Sequence, residues 1–283
     1  MTDKERLQNV QIVVSDLDGT LISDDGSIGE ETKKLIKELH KHGVLFSFAT
    51  GRLHSAVLNY AVDLEISNPV ISLDGCVIKE FPGEETIYES FIRETYVKKA
   101  IKYAENYLLN IALCHSDAIY YTEYNSAIPK LLNKYGAKYK EVHSYNNYLG
   151  NTLEIVYAGD VKESIEFVRD KFTFPNAFGC TASFFRSQRY SGIYYLEIRR
   201  AGSTKGKALK RLLKYLHINP EQAVVMGDWY NDISMFESKA IKVTVANAIP
   251  ELIRMADHVT ENTNNNNGIA EFLDMLLSAK KRK

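Results

Sequence analysis

The sequence predicts an α/β fold, in which a doubly wound parallel sheet carries a second, inserted α+β domain. Short apolar runs alternate with amphipathic helical segments in the first and last thirds of the chain, an order typical of parallel sheets with crossover helices. The length of 283 residues exceeds the usual size of one domain. The middle third lacks this alternation and is instead rich in Tyr-containing strand patterns. These three observations together predict two domains.

The first third predicts three strands and two helices in βαβαβ order. Each continuous apolar run ends at a polar or turn residue, which is typical of a buried strand, and Gly43 follows the first helix as a C-terminal cap. The predicted strands cover residues 10–15, 44–49 and 69–73, and the predicted helices cover residues 30–42 and 55–62.

The last third repeats the alternation of strands and helices. Apolar residues recur at helical spacing over 205–216, which predicts a helix there. Strands are predicted at 223–226 and 241–245 around a helix at 232–238, and two short helices follow. The Asn run at 264–267 is predicted to be a loop, and the basic residues 280–283 a frayed, solvated end.

The middle third is predicted to be an inserted domain. Thr50 and Lys205 lie much farther apart than the roughly 30 residues of a βαβ unit. Strands near 119–121, 153–157 and 193–198 alternate there with helices near 94–108, 126–134 and 161–171. We therefore predict a core of residues 1–82 and 200–283 and an inserted domain of residues 83–199, joined by hinge linkers at 81–83 and 199–202.

Composition argues against several classes of partner. A formal net charge of −1 and a pI of about 6.7 disfavour nucleic acid or an anionic membrane. We see no signal peptide and no apolar stretch of about 18 residues. The three cysteines are scattered without metal or disulfide spacing. We therefore expect a cytoplasmic monomer or homodimer whose partner is a small molecule.

The most informative motif is a pair of carboxylates directly after the first predicted strand. Asp16 and Asp18 are two positions apart, and Gly19 and Thr20 follow. Ligands of open α/β sheets bind at the carboxyl ends of the strands, and two acids placed there repel each other. A divalent cation would remove this repulsion, and a metal-bound carboxylate at a strand end suits an attack on phosphate.

Three further motifs lie at predicted strand ends or at a helix start. They are Thr50-Gly51-Arg52, Lys205, and the turn 227–232 with Asp228 and Asn231. Each alone fits a structural role, because Asp and Gly are common in turns. The helix dipole mildly disfavours a lysine in the first turn of a helix. A lysine at this position is therefore better explained by the binding of an anion than by a contribution to stability. The order of the motifs favours one functional site.

These motifs resemble, in the same order, those of the haloacid dehalogenase (HAD) superfamily, and within it the Cof-type phosphatases with a large α/β cap. Residues 247–252, 256–260 and 268–270 resemble the end of that subfamily. The resemblance covers nearly the whole chain, is specific in the core and is only topological in the cap. It implies a Rossmann-like core with an inserted cap, and Mg²⁺-dependent hydrolysis of a phosphorylated metabolite, above all a sugar phosphate.

The resemblance also implies roles for single residues. Asp16 would attack phosphorus and form an aspartyl-phosphate, while Asp18 would act as general acid and then as general base. Asp16, Asp228 and the backbone carbonyl of Asp18 would hold Mg²⁺. Asp232 would position Lys205 or a metal-bound water. The phosphoryl oxygens would contact the side chains of Thr50, Lys205 and Asn231 and the amides of Leu17, Gly19 and Gly51.

Several residues depart from the family pattern or fit two roles. Asp74 stands where the subfamily usually has Asn, and Asn267 stands where Asp is usual. Arg52 contacts phosphate or substrate, or else is solvated or paired within the core. Trp229 packs within the protein or lines the site. Residues of the inserted domain that fit either substrate selection or packing are His115, Tyr120, Arg186 and Arg189.

Three alternative functions stay open at this stage. A phosphomutase of the same superfamily would share the nucleophile and the metal, but would isomerise its product and release no phosphate. A phosphate-accepting signalling domain of the flavodoxin-like type would lack the insertion and the acid–base role of Asp18. The complete set of motif residues disfavours a catalytically silent binding module.

Overall fold

The computed structural model describes residues 3–83, 85–132, 137–187 and 190–281. The chain forms two compact units, of which the first comprises Met1–Gly51, Leu58–Ile87 and Thr204–Lys283, and the second Arg52–Val57 and Tyr88–Ser203. The predicted boundaries followed residues 82 and 199, whereas these units change at Ile87 and Ser203. In the part of the chain that is described, no helix has the length and apolar character needed to cross a membrane.

The first third forms the predicted βαβαβ series and then a hairpin. Gly43 has a φ of +73° just after the first long helix, because the left-handed conformation that ends many helices favours glycine. The segment 81–83, predicted as a linker, lies between the two strands of the hairpin. The elements are α1 (Asp3–Gln8), β1 (Ile12–Ser15), α2 (Glu30–Lys41), β2 (Leu45–Phe48), α3 (His54–Asp63), β3 (Val70–Ser72), β4 (Val77–Lys79) and β5 (Thr86–Glu89).

The second unit contains a six-stranded sheet in the order β10-β11-β9-β6-β7-β8. Its pairs are antiparallel except for β7 and β8, and Tyr157 and Phe172 belong to its buried core. The elements are α4 (Glu94–Tyr107), β6 (Asn110–Cys114), β7 (Ile119–Tyr121), α5 (Ile128–Leu131), β8 (Tyr139–Glu141), β9 (Glu154–Gly159), α6 (Lys162–Lys171), β10 (Cys180–Arg186) and β11 (Tyr194–Arg200). Helix α5 is shorter than the helix predicted over 126–134, of which residues 133 and 134 lie outside the described residues.

The last third returns to the first unit. Its elements are α7 (Lys205–Tyr215), β12 (Ala223–Met226), α8 (Ile233–Phe236), β13 (Ile241–Thr244), α9 (Pro250–Met255), β14 (His258–Val259) and α10 (Gly268–Lys281). Two predictions are wrong here. Helix α10 has 14 residues and is not short. Lys280 is not frayed, since its Nζ donates to the carbonyls of Gln8 and Val10; residues 282 and 283 lie outside the described part.

A parallel sheet in the order β14-β13-β12-β1-β2 forms the centre of the first unit. A bridge between Ala49 and Ile71 continues it, in parallel, to β3. Helices α1 and α2 pack with α10, while α7 and α9 pack with α8, which confirms the doubly wound fold. Strands β1 and β12 are buried at every position, as expected where helices cover both faces. The strand order reverses between them, and ligands of such sheets bind at that switch point.

Candidate active site

Three side chains of the predicted site converge where β1, β2 and β12 end. Asp16 directly follows β1, Thr50 follows β2, and Asp228 follows β12. The sheet ladder continues past the strands, because the amide of Asp16 donates to the carbonyl of Met226 at 2.9 Å. Thr50 is 0% exposed, Asp16 4% and Asp228 7%. The first unit therefore holds three polar side chains, almost without solvent contact, at the carboxyl edge of its sheet.

Lys205 is the cation of this group. It is the first residue of α7, where the Thr204 side chain caps the helix by accepting from the amide of Lys207 at 3.2 Å. Its Nζ donates to Oδ1 of Asp16 and to Oδ1 of Asp232, each at 2.7 Å. Both Lys205 and Asp232 are 0% exposed. A buried ammonium thus joins the first motif to the last one.

Asp232 and Asp228 are held by the backbone and by the turn after β1. Oδ2 of Asp232 accepts from the amides of Asp228 and Trp229, at 3.0 and 3.1 Å. Oδ1 of Asp228 accepts from the Thr20 hydroxyl at 2.6 Å. Gly19 has a φ of +79°, and a Cβ at this position would collide with the Asp228 carboxylate. Sequence reasoning assigned no role to Thr20, although it lies within the first motif.

Burial and crowded like charges dominate the electrostatics of the site. Burial raises the pKa of Asp16 well above its usual range, Lys205 opposes this shift, and Asp232 and Asp228 add to it. Burial, helped by Asp232, raises the pKa of Asp228 to about 7 against the hydrogen bond from Thr20. Burial alone would lower the pKa of Lys205, but Asp16 and Asp232 outweigh it, so the net shift is upward. Lys205 therefore stays charged, and its one positive charge can balance only part of the charge of three ionised carboxylates.

The acidic side chains fit a divalent metal ion. Carboxylate oxygens of Asp16, Asp228 and Asp232 lie within 4.8 Å of one another, and all three residues are buried. Hard divalent cations prefer such oxygen donors, and a cation would relieve the repulsion that raises the pKa values. The predicted ligand from Asp18 is its backbone carbonyl, and its side chain is exposed. That exposure leaves the Asp18 carboxyl accessible to a bound molecule.

Asparagines from the end of the chain hold the loop after β1. Nδ2 of Asn247 donates to the Gly19 carbonyl at 2.8 Å, and the amide of Asn264 donates to Oδ1 of Asn247 at 3.0 Å. Nδ2 of Asn264 donates to the carbonyl of Ile22, also at 3.0 Å. The Asn run predicted as a loop thus begins with a buried, anchoring residue in a short 3₁₀ turn. Sequence reasoning missed this role, because an Asn in a loop can equally face solvent.

Asp74 and Asn231 form a second polar pair at the same edge of the sheet. Asp74 lies in the turn after β3, where its amide donates to the Thr50 carbonyl at 2.9 Å. Nδ2 of Asn231 donates to Oδ1 of Asp74 at 2.9 Å. Asn231 was predicted to contact phosphoryl oxygens, and the structure engages one of its N–H groups with this carboxylate. The extra acid noted in the sequence therefore belongs to the site.

Arg52 and Trp229 are the remaining predicted residues of these motifs. Arg52 belongs to the second unit, and its contact with phosphate or substrate stays a prediction. Trp229 is 51% exposed and lies edge-on to Tyr230, with 5.4 Å between the ring centroids, so it is not a core residue. Asn267 has a φ of +57°, a conformation that Asn tolerates better than most residues.

The candidate selection residues of the second unit divide into packed and exposed ones. His115 is buried, its Nε2 lies 2.9 Å from the Tyr148 carbonyl oxygen, and its ring centroid lies 4.7 Å from that of Tyr120. Burial lowers the pKa of His115, so this imidazole fits a packing role. Arg186 is exposed at the end of β10, and Arg189 lies outside the described residues.

The first unit is a doubly wound sheet, and a mixed-sheet unit is inserted into its chain. A lysine-bridged carboxylate cluster lies at the switch point of the doubly wound sheet. Together these features are typical of one class of hydrolases. The model of the haloacid dehalogenase-like hydrolase family matches residues 13–273, and the chain belongs to this family. The family match, together with the relatives and solved structures, confirms the predicted Cof-type HAD membership and the predicted fold class. It also confirms the assignment as an HAD-like phosphatase.

Known relatives cover nearly the whole chain. Phosphatase YwpJ from Bacillus subtilis (strain 168) is 28% identical over 306 residues, covering 95% of this chain and 100% of that protein. The 5-amino-6-(5-phospho-D-ribitylamino)uracil phosphatase YwtE of the same organism is 27% identical over 299 residues, covering 95% and 99%. The solved structure of TM0651 from Thermotoga maritima has a TM-score of 0.80 at 27% identity, covering 94% and 97%. The similarity therefore extends over both units.

Proposed function

We propose that the protein is an Mg²⁺-dependent phosphatase that hydrolyses a small phosphorylated metabolite, a sugar phosphate or related polyol phosphate, through an aspartyl-phosphate on Asp16. The observation that carries this proposal is the buried Lys205 ammonium, 2.7 Å from both Asp16 and Asp232. One cation balances only part of the negative charge of the three acids, which favours the binding of a metal ion. The Lys205 ammonium also orients one Asp16 oxygen and leaves the other Asp16 oxygen for attack.

Asp16 and Asp18 carry the bond-making steps in this proposal. An oxygen of Asp16 attacks phosphorus, the bond to the leaving oxygen breaks, and Asp18 gives that oxygen a proton. In the second step Asp18 takes a proton from a water molecule that attacks the aspartyl-phosphate, and inorganic phosphate leaves. The exposed side chain of Asp18 supports this role, because a group that exchanges protons with substrate and water needs access to both.

The phosphoryl oxygens are bound by donors from the ends of four elements, β1, β2, β12 and α7. Lys205 contributes its ammonium, and Thr50 contributes a hydroxyl that is withdrawn from solvent. The amides of Leu17, Gly19 and Gly51 and the side chain of Asn231 complete the proposed set. Donors that are already oriented stabilise the charge that develops on the equatorial oxygens without reorganisation during the reaction.

Asp16, Asp228 and the backbone carbonyl of Asp18 are the proposed Mg²⁺ ligands. Asp232 has a different role, since its two oxygens already accept from Lys205, Asp228 and Trp229. When bound, the ion supplies positive charge that neutralises the carboxylates and the transferring phosphoryl group. Asp232 holds Lys205 and the turn that carries Asp228 in place.

The substrate class is supported by chemistry and by relatives. The negative charge at the sheet edge and the overall charge of −1 fit a small anion bound with a metal better than a polyanion. The relative YwtE is named for a substrate with a phosphate on a ribityl chain, which is a polyol phosphate. We also propose that the protein acts in the cytoplasm on a free metabolite.

A metal-dependent phosphate-release assay tests this proposal. The protein is incubated with p-nitrophenyl phosphate and with a panel of sugar and polyol phosphates, with Mg²⁺ or with excess chelator. We expect inorganic phosphate only with the metal. The variant Asp274→Asn, which changes an exposed acid on α10, is the matched control. Isomerised sugar phosphate without free phosphate would support a phosphomutase, and full activity in chelator would contradict the metal assignment.

A further inference from the structure

We propose that the second unit binds a small organic cation, an amine carried on an aromatic body, in a cavity at the end of α4. This inference goes beyond the proposed function. All described residues that line the cavity belong to the second unit, whereas the carboxylate cluster lies in the first unit. The exposure of apolar side chains at the cavity and the charge of its lining carry the inference.

The cavity has the size of a small-molecule site. Its volume is about 810 Å³, and typical ligand sites measure roughly 300–1,000 Å³. It lies between the last turn of α4, the first residues of β6, the turn after β7 and the segment after β8. This end of the sheet is opposite to Arg200, the last residue of β11, after which the chain returns to the first unit.

Buried polar side chains fix one wall of the cavity. Oδ1 of Asn125 accepts from the amide of Ile111 at 2.8 Å, and Nδ2 of Asn125 donates to the Thr122 hydroxyl, also at 2.8 Å. The Tyr145 hydroxyl donates to the carbonyl of Ile111 at 2.7 Å. The side chains of Thr122, Asn125 and Tyr145 are all buried. Because these polar groups pair with one another, the wall is already formed before a ligand binds, as in most small-molecule sites.

Two strongly exposed apolar side chains line the same cavity. Tyr124 is 97% exposed and Leu108 is 93% exposed, the two highest values among the large hydrophobic residues that the structure describes. Leu108 also has a φ of 52° at the end of α4, a left-handed conformation in which Gly or Asn is usual. This leucine therefore contributes neither a favourable backbone nor buried surface to the protein without ligand. An aromatic ligand in the cavity would bury both side chains.

The charge of the lining favours a cation. The cavity is lined by Glu105 and by no lysine or arginine among the described residues. Within the described ranges Glu105 forms no ion pair and no hydrogen bond. The last turn of α4 has no basic residue, although the negative end of a helix dipole favours a cation there. An ammonium group beside Glu105 would supply the positive charge that this helix end lacks, and a tyrosine ring also attracts a cation.

The test is a titration of the full chain with three probes that share an indole ring. Tryptamine carries an ammonium group, tryptophol a neutral hydroxyl and indole-3-acetate a carboxylate. Saturation-transfer NMR measures the three dissociation constants. We expect tryptamine to bind at least about threefold more tightly than tryptophol and at least about tenfold more tightly than indole-3-acetate. The differences are modest because charge interactions at partly exposed sites are screened by water.

Two variants separate the contribution of charge from that of apolar contact. Glu105→Gln should reduce the affinity for tryptamine to that for tryptophol and leave the affinity for tryptophol unchanged. Glu163→Gln, at an exposed acid of α6 outside the cavity, is the charge-matched control and should change neither affinity. Leu108→Asn should weaken the binding of all three probes at least about threefold without lowering the melting temperature, because Asn suits the left-handed backbone.

Several results would overturn the inference. They are no binding of tryptamine at about 10 mM, a concentration that would nearly fill a site with a Kd of about 1 mM, equal affinities for the three probes, and an unchanged affinity of Glu105→Gln for tryptamine. A dimer that sedimentation detects and that Leu108→Asn abolishes, without tryptamine binding, would assign the cavity to a second copy of the chain. None of these measurements uses phosphate release, so they are independent of the proposed phosphatase function.

Discussion

The two units each bury a cluster of charged side chains, but the clusters differ in charge balance and in their place in the sheet. In the first unit, three carboxylates lie close together beyond the ends of β1 and β12, and the Lys205 ammonium pairs with two of them, Asp16 and Asp232. In the second unit, Glu154 and Glu197, on β9 and β11, share the guanidinium of Arg199. Both units therefore bury more acids than cations, and the cluster of the first unit differs in lying beyond the carboxyl ends of its parallel strands.

The physical reason lies in geometry. In the second cluster all three residues lie within strands, and Arg199 donates to Glu154 through Nε and to Glu197 through Nη2, the latter at 2.7 Å. A planar guanidinium can serve two carboxylates at once. The first cluster is built from turns beyond the strand ends and from the first residue of α7, and ligands of such sheets bind at that edge. The predictions below test whether the first cluster is catalytic and the second structural.

The largest effect is expected for Asp16→Asn. An amide of the same shape cannot act as the nucleophile, so kcat should fall on the order of 10⁴-fold or more, while the fold is retained. Phosphate release and thermal melts on the same preparation measure both. Glu197→Gln in the second cluster is the matched control and should reduce kcat less than tenfold. Labelled phosphate trapped on a residue other than Asp16 would contradict the scheme.

Lys205→Met should affect both activity and stability. Loss of an oriented charge should reduce kcat/KM on the order of 10²- to 10³-fold. Because Lys205 is fully buried between Asp16 and Asp232, its removal should also destabilise the metal-free protein by about 3–5 kcal/mol. Added Mg²⁺ should raise the melting temperature of this variant more than that of the unchanged protein. A melting temperature that does not fall would show that the carboxylates need no counter-charge.

Arg199→Met should destabilise the protein without a matching loss of catalytic activity. Two acids of the second unit would lose their cation, so we expect a destabilisation of about 3–5 kcal/mol. Unlike for Lys205→Met, the stabilisation by Mg²⁺ should equal that of the unchanged protein, because no metal site is altered. Chemical denaturation with and without Mg²⁺ measures this. A variant-specific increase in the Mg²⁺ effect would mean that the second cluster also attracts a cation.

The smallest effect is expected for Asn264→Ala. It removes the hydrogen bond from Nδ2 to the Ile22 carbonyl and leaves this buried carbonyl unsatisfied, which should destabilise the protein by about 1–2 kcal/mol. Because the loop after β1 is held less firmly, kcat/KM should fall less than tenfold. Asn266→Ala, at an exposed position of the same turn, is the control and should change neither quantity. Equal behaviour of the two variants would contradict the anchoring role.

Much of the first unit could be predicted from the sequence. Continuous apolar runs such as Ile12–Ser15 and Ala223–Met226 predict buried parallel strands, and these strands form the centre of the sheet. The short β14 strand and the β4–β5 hairpin were missed, because their sequences mix apolar with polar residues and form no continuous apolar run. Helix α10 was underestimated in length, since its start follows the polar Asn run.

The site was predicted less completely than the sheet. The order of the motifs predicted that Asp16, Thr50, Lys205 and Asp228 lie close together. In the structure these residues lie at one edge of the sheet. Lys205 had been expected to contribute little to stability, but its complete burial between two carboxylates leads us to expect a larger contribution, which Lys205→Met tests. The burial of a side chain depends on which elements pack over it, which the first turn of a helix does not reveal.

The fold class, the family and the residues that converge on the sheet edge follow from the sequence, because strand and helix periodicity and motif order can be read along the chain. The partners of these residues follow only from the folded chain: one ammonium bridges Asp16 and Asp232, an Asn run anchors the loop after β1, and Asn231 donates to Asp74. These pairs join residues far apart in the chain, and hydrogen bonds between them depend on distances that no local pattern encodes.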